Sequence, residues 1–497
     1  MADLKTPGVY LDRISTGSAP IDGVSTSVVA FMGKAPRGDV KTGFVMISSW
    51  TDFVQKASFG STESVFRNDD YLAYNVYNFY QNGGGKAYFG VIKPENAVVA
   101  TAVAGNITLL AKSAGTWANS IKVDIKKNTL DETKFDVKVY RETTVGSVTK
   151  EEILEQYTAL ANDKSDADYF DNALLASDLF EVMATDGKEY ELAEVTGATF
   201  SGGTEGTWGD EKKNITPDAA EDAALIGADG LIRKLDAIND VALIVNGGET
   251  SDAVLKGIID YCSNHGNIYA LLDAPDSDDY NDIVEARNKL KGLGEIHYPR
   301  VYISDPVTGI KIDVPASGML AGTYARFDSS YGVWRAAAGA EAVLRGALGV
   351  KKVLTDAEFQ TLFEAGVNCI MSKPNSGVLM YGARSLNQRY VSDDRLDIYV
   401  SKSITEGTEW AVFELNDEKL WLRLKTTILS FLEGLYLRGA FKGEGVGSAY
   451  YVICDSSLNT DANIERGIVT TEFGYANKKP AEFVVHRLNK ITASATE

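Results

Sequence analysis

The sequence predicts a multidomain protein of mixed α/β and α+β class, and three observations carry that prediction. Strand-like and helix-like patterns alternate between about Pro217 and Met371. Apolar and polar residues alternate with period two across much of the stretch 98–206. After Pro374 a long apolar helical stripe is followed by strand-like runs.

The length supports several domains. A chain of 497 residues exceeds what one core organises, and domain-size scaling gives about three to four domains. Hydrophobic residues make up 44% and charged residues 24%, an ordinary globular balance with enough apolar surface for a large core.

The N-terminal thirty residues read as an extended arm. Pro7-Gly8 disfavours a helix, and Val9-Tyr10-Leu11 is a short β-prone run. Ser27 to Phe31 begins the first strand. Tyr71 to Tyr80 spaces its aromatic residues as a helix does and stops at Asn82-Gly83, and Ala87 to Ile92 is again a strand. From Val98 to Gly206 the runs Ile121–Ile125 and Phe135–Tyr140 predict half-buried antiparallel strands, with a helix or two near Glu152–Ala161.

In the next region Val241–Val245, Ile268–Leu272 and Arg300–Ile303 read as successive strands of a mostly parallel sheet. Asp252–Cys262 and Tyr280–Leu293 read as the helices between them. Further on, Leu420, Trp421, Leu424, Ile428, Phe431, Leu432 and Leu435 recur at three- and four-residue spacing. They form one wide apolar stripe, which Asn416 or Asp417 can cap and Gly439 can end. Tyr450–Cys454, Gly467–Tyr475 and Ala481–Leu488 are strand-like. The resulting division is an arm over 1–30, an α/β segment over 31–97, a β-rich insert over 98–206, an α/β domain over 207–372, a C-terminal domain over 373–480 and a strand arm over 481–497.

Charge and chemistry exclude several functions. The formal net charge is -20, from 49 basic and 69 acidic residues, and no dense basic run offers phosphate contacts, so no direct nucleic-acid contact is expected. The three cysteines, Cys262, Cys369 and Cys454, are too far apart for a metal cluster and odd in number for a disulfide framework. They are expected as buried apolar residues. The first residues lack a signal-peptide core and no apolar run approaches bilayer length, which predicts assembly in a cytoplasm and no membrane insertion.

Candidate catalytic patterns fail on inspection. A Ser-His-Asp site in the middle domain would need His265 or His297, both read as lying in polar loops, and strand-end acids such as Asp273 and Asp305 fit ordinary loop roles. Gly83-Gly84-Gly85-Lys86 lacks the first glycine and the Ser or Thr of a phosphate loop. Asp455, Asn459 and Asp461 resemble half a calcium loop but have Thr460 where glycine is required. No catalytic, metal or cofactor residue is assigned, and no cofactor is expected.

Both ends read as strands without partners of their own, a hazard unless another copy supplies the sheet. A contact of that kind that does not close on itself builds a helical filament.

Several motifs, in order, resemble the phage tail sheath protein family. They are Pro7-Gly8-Val9-Tyr10; Val314-Pro315-Ala316-Ser317-Gly318 with Ala321 to Asp328; Gly332-Val333-Trp334-Arg335; Gly382-Ala383-Arg384-Ser385-Leu386; Phe413-Glu414-Leu415-Asn416-Asp417 with Leu420-Trp421; Leu437 to Gly443; and Lys479-Pro480-Ala481-Glu482-Phe483. Where the family often has Ala-Pro-Ala, this chain has Ala336-Ala337-Ala338. The stretch 98–206 matches least.

The resemblance implies a subtilisin-like parallel α/β domain without a catalytic triad and a C-terminal lattice domain. It implies a structural sheath subunit of stacked hexameric rings that contracts around an inner tail tube, in a virion tail or injection particle. The implied partners are further copies of the chain, the tube protein, and baseplate and tail terminator proteins. On this view Pro7, Gly8, Val9, Tyr10 and Leu11 form one inter-subunit arm, and Glu482, Phe483, Val484, Val485 and Arg487 the other. Arg423, Lys425, Ser430 and Glu433 on the long helix would face the tube. The competing classes are a hydrolase on the subtilisin-like domain and a small-ring surface-binding protein.

Overall fold

A computed structural model describes residues 20–38, 43–58, 64–67, 70–145, 148–184, 190–207 and 219–482. The arm residues Pro7 to Leu11, and Phe483, Val484, Val485 and Arg487, lie outside them. The chain divides into two compact units. The larger comprises Ser25–Ser330 with Ala337–Val391, and the smaller brings together residues 20–24, Tyr331–Ala336 and 392–482.

The larger unit opens with β1 (Val29–Gly33), β2 (Phe44–Ile47), α1 (Trp50–Ser58), α2 (Leu72–Gln81) and β3 (Ala87–Val91). Every residue of β1 is buried, as a strand covered on both faces requires. It runs parallel to β3, and β2 returns antiparallel.

Two sheets follow, built from β4 (Val99–Ala104), β5 (Ile107–Ala114), β6 (Ile121–Lys127), β7 (Phe135–Val145), β8 (Val148–Leu160), α3 (Phe170–Leu174), β9 (Phe180–Ala184) and β10 (Val195–Thr199). The orders are β4-β5-β9 and β10-β6-β7-β8. Their alternating inner residues, among them Ile107, Leu109, Val123, Val137, Val139 and Phe180, form one shared core.

The helix expected near Glu152–Ala161 is instead most of strand β8. Glu, Leu, Gln and Ala favour a helix locally, but antiparallel pairing along β7 prevails, with Arg141–Glu152 at 2.7 Å and Lys138–Glu151 at 2.8 Å. The insert's ends meet: Val98 and Thr204 exchange backbone hydrogen bonds of 3.1 and 3.0 Å.

The chain then returns to the first sheet through α4 (Ala219–Ile226), β11 (Leu243–Val245), α5 (Asp252–His265), β12 (Tyr269–Asp273), α6 (Tyr280–Asn288) and β13 (Gly294–Tyr298). Next come β14 (Val301–Ser304), β15 (Lys311–Val314), α7 (Ser317–Tyr331), β16 (Gly349–Val350), α8 (Asp356–Ala365), β17 (Asn368–Lys373) and β18 (Gly377–Tyr381). The eight-stranded order is β18-β17-β13-β12-β11-β1-β3-β2, parallel except at its two edge strands. Segments 31–97 and 207–372 therefore contribute to one sheet. Ser251 caps α5 by accepting from the Val254 N–H, and Gly266, at φ 76°, ends it.

One strand assignment needs correcting. Arg300–Ile303 does not continue the parallel sheet. That place belongs to β13, whereas β14 pairs antiparallel with β15 and β16 in a separate small sheet. Glu295 and His297 made β13 look like a loop, yet all five of its residues are buried.

The motif around Gly318 and Gly322 has a packing cause. A Cβ on Gly318 would lie 2.3 Å from the Asn75 carbonyl oxygen, and one on Gly322 would lie 2.4 Å from that of Phe79. Glycine thus lets α7 cross α2 with backbones in contact. Asn75 Oδ1 accepts the Gly318 N–H at 3.0 Å and holds the crossing in register.

The smaller unit contains α9 (Val391–Gly407), α10 (Glu418–Leu437), β19 (Tyr450–Ile453), α11 (Asp461–Glu465) and β20 (Glu472–Tyr475). Its core joins Leu396, Val400 and Ile404 to Ile428, Phe431, Leu432 and Leu435, with Ile21 and Val333 from its other segments. The segment leading in from residue 20 is tied down, since the Val24 N–H donates to Ser403 Oγ at 3.1 Å.

Candidate assembly surface

The long helix behaves as its stripe predicts. Leu420, Trp421, Leu424, Ile428, Phe431, Leu432 and Leu435 are buried, and Asp417 caps the start by accepting from the N–H groups of Lys419 and Leu420. Trp421 Nε1 donates to Asn416 Oδ1 at 2.8 Å, and Asn416 Nδ2 donates to the Ile468 carbonyl at 3.2 Å, which fixes the loop before the helix.

The four residues expected to face a tube differ in exposure. Ser430 and Glu433 are exposed. Arg423 is half-buried, with its guanidinium 4.2 Å from the Trp410 ring centroid and 4.0 Å from Glu414. Lys425 is half-buried too; its charge adds slightly to the lowering of the Asp455 carboxyl, which the Ser457 hydroxyl and backbone N–H chiefly cause.

The outward face runs through Leu422, Thr426, Ser430, Glu433 and Leu437. Its two leucines are 64% and 76% exposed, and the preceding loop adds Val412, Phe413 and Leu415 at 64%, 103% and 82%. Sequence reasoning named Ser430 and Glu433 on this face and missed its leucines. The signal was Leu422 and Leu437, which stand outside the buried stripe's spacing.

Among the described residues β19 and β20 pair antiparallel in a two-stranded sheet, flanked by the isolated bridges Val446–Tyr450 and Phe441–Asn477. Just beyond β20 the chain is pinned to α9. Tyr475 donates its hydroxyl to Asp397 at 2.8 Å, and buried Asp393 accepts from Asn477 Nδ2 at 3.2 Å and pairs with Lys479. Glu482, half-buried, is the last described residue.

The chemical candidates resolve into structural roles. His297 does not lie in a loop: it is buried in β13, with Nε2 3.1 Å from Glu295 Oε2. His265 ends α5, with its ring 5.7 Å from that of Tyr261. Asp273 Oδ1 accepts the N–H groups of Ala316 and Ser317 at 2.8 and 2.9 Å and so caps α7. Asp305 accepts from Val307 and Thr308 in a turn.

Gly83, at φ 108°, turns the chain out of α2, and Lys86 pairs with Asp240. Asp455 accepts from the backbone N–H and hydroxyl of Ser457, an Asx turn in place of a calcium loop. All three cysteines are buried and free, and burial pushes the Cys369 thiol up to about 12. Among the described residues, no helix is long and apolar enough to cross a membrane.

Comparison with known proteins places this geometry. Residues 224–386 match the phage tail sheath protein central domain, and residues 94–210 match the phage tail sheath protein beta-sandwich domain; together they cover more than half of the chain. A tail sheath protein of Vibrio phage KVP40 is 26% identical over 192 residues, which is 36% of this chain and 27% of that protein's length.

Among solved structures, a PVC sheath complex of an extracellular contractile injection system in its contracted state has a TM-score of 0.59. It is 20% identical, over 98% of this chain and 97% of that one. The contracted helical sheath of the anti-feeding prophage also has a TM-score of 0.59, at 17% identity over 97% and 98% of the two chains. A sheath tail protein from Desulfitobacterium hafniense has a TM-score of 0.52, at 17% identity over 90% and 94%. The chain belongs to the phage tail sheath protein family.

Proposed function

We propose that this chain is the structural sheath subunit of a contractile tail or injection particle. It polymerises as stacked hexameric rings around an inner tail tube and contracts to drive the tube through a target-cell envelope. Its partners are copies of itself, the tube protein, and baseplate and tail terminator proteins, without direct nucleic-acid contact, membrane insertion or a cofactor. Assembly takes place in the host cytoplasm. The parallel α/β unit is subtilisin-like in plan, has no triad, and serves as a non-enzymatic scaffold.

The observation that supports this reading best is the β19–β20 sheet. Among the described residues this sheet has two strands, which alone are marginal; the pair is held on the α9–α10 layer, and added strands would complete it. Pro7 to Leu11 of one neighbour and Glu482 to Arg487 of another are the segments we assign to that role. Each backbone hydrogen bond contributes only about 0.5–1.5 kcal/mol. Repetition over a lattice raises the effective concentration of every arm.

Deleting Met1 to Ser18 should leave subunits that are folded by circular dichroism and monodisperse on a sizing column. Negative-stain microscopy should then find tubes or stacked rings for the full chain and none for the truncated one. Tubes of normal length from the truncated chain would remove the arm from the mechanism.

A further inference from the structure

At the crest of the parallel sheet, β1 and β11 lie side by side where the strand order reverses, with β3 and β2 beyond one and β12 and β13 beyond the other. Asp70, just before α2, Glu221, on α4, and Glu249, just after β11, place carboxylate oxygens within 4.8 Å of one another there. Asp70 and Glu221 are buried and Glu249 half-buried.

The positive charge at this point comes from Lys34, which follows β1 and sets its Nζ 2.9 Å from Glu221 Oε1. Asp70 accepts the Leu72 N–H at 2.6 Å. Two more charges face the cluster. Asp222 on α4 accepts the Ser251 hydroxyl at 2.8 Å, and Arg300, ahead of β14, donates to the Tyr71 hydroxyl at 2.9 Å. Arg300 is itself shared with Asp276 at 3.6 Å and Asp313 at 3.7 Å, which Lys351 also binds, and it feels Asp273. Among the described residues acids therefore outnumber cations in a place poorly reached by water, where surplus charge of one sign is costly.

We propose that this cluster is a proton-locked clasp: with Asp70 and Glu249 protonated, α4 stays docked over the ends of β1 and β11 through Lys34–Glu221, and losing those protons sets like charges against one another and releases α4.

The electrostatics agree. Burial, with the Glu249 charge adding to it, lifts the Asp70 carboxyl well above its ordinary 3.8. Burial first, and Glu221 next, push Glu249 up to about 7 from 4.5. Both acids bind protons more tightly in the folded state than in the unfolded one. Their effect on stability is therefore most favourable at low pH and is lost as pH rises towards and through about 7, the reverse of an ordinary paired carboxylate. The inference does not depend on the sheath function.

Amide exchange of the Ala219–Ile226 peptide in the full chain, corrected for intrinsic pH dependence, tests it between pH 5.5 and 8.5. Exchange should quicken as pH rises towards neutrality, by up to about tenfold per pH unit for each of the two acids. Asp70→Asn with Glu249→Gln should flatten that slope and hold the helix protected at high pH. Glu151→Gln, on the distant β7–β8 hairpin, should keep the wild-type slope. If the double variant does not fold, Glu249→Gln alone should halve the slope or better. A flat wild-type profile, a slope unchanged in the variants, or a slope abolished by EDTA would each overturn the proposal, the last by assigning the cluster to a metal ion.

Discussion

Glu295 and His297 sit two residues apart on β13 and so project to the same face of a strand whose residues are all buried. His297 Nε2 lies 3.1 Å from Glu295 Oε2, and Asn368 Nδ2 of the adjacent strand donates to the same oxygen at 2.7 Å. Asn368 also accepts the Arg384 N–H at 2.8 Å, which stitches the chain leaving β18 to the middle of the sheet. Removing Glu295 would leave the Asn368 amide without this acceptor in a buried site. Glu295→Ala should cost about 1–3 kcal/mol in urea unfolding, by the penalty for leaving buried polar groups without their partner. Asn368→Ala should cost about 1–3 kcal/mol. A Glu295→Ala loss no larger than that of a surface substitution would mean that the pair does not hold this part of the sheet.

At the scale of elements, α10 separates two kinds of apolar surface. Leu432 is fully buried in the smaller unit's core, whereas Leu422 and Leu437 face outward. Leu432→Ala should cost about 2–5 kcal/mol. Leu422→Lys with Leu437→Lys should stay within about 0.5 kcal/mol in thermal unfolding of the isolated subunit, as surface changes do. The pair should show its effect only in polymerisation; a large loss of subunit stability would place that face inside the fold. The inner face of α10 and its Asp417 cap were legible from residue spacing, because the stripe is purely apolar and the cap is local. α9 was not: Asp393, Asp394, Arg395 and Lys402 are buried on it, so its inward side does not look apolar. β8 was misread because its residues favour a helix until β7 is beside them. The candidate surface was half legible. The reading named Ser430 and Glu433, which are exposed, together with Arg423 and Lys425, which lie against Trp410 and near Asp455, and it passed over the leucines of the outward face.

Over the whole molecule the negative charge is unevenly distributed. Residues 94–210 carry 21 acidic against 10 basic side chains, more than half of the chain's net -20. A lattice of identical subunits must bring such domains repeatedly near one another, and a field of one sign opposes that. Salt shortens its reach from about 10 Å at 0.1 M to about 3 Å at 1 M. Polymerisation of the full chain, followed by light scattering, should therefore strengthen as salt rises through that range, opposite to an assembly held by ion pairs. The insert can be removed to locate the effect. Val98 and Thr204 already pair backbone to backbone, so closing the chain across them spans a short gap. Beyond that junction the insert meets the rest of the unit where the Arg37 guanidinium lies 5.1 Å from the Trp117 ring centroid, while Lys93 pairs with Glu205 at its exit. A chain with 98–204 replaced by a short Gly-Ser turn should keep the cooperative melting of the eight-stranded sheet and polymerise with much weaker salt dependence. If the shortened chain folds but keeps the full salt response, the repulsion arises elsewhere on the subunit, and the acidic sandwich does not set the balance against assembly.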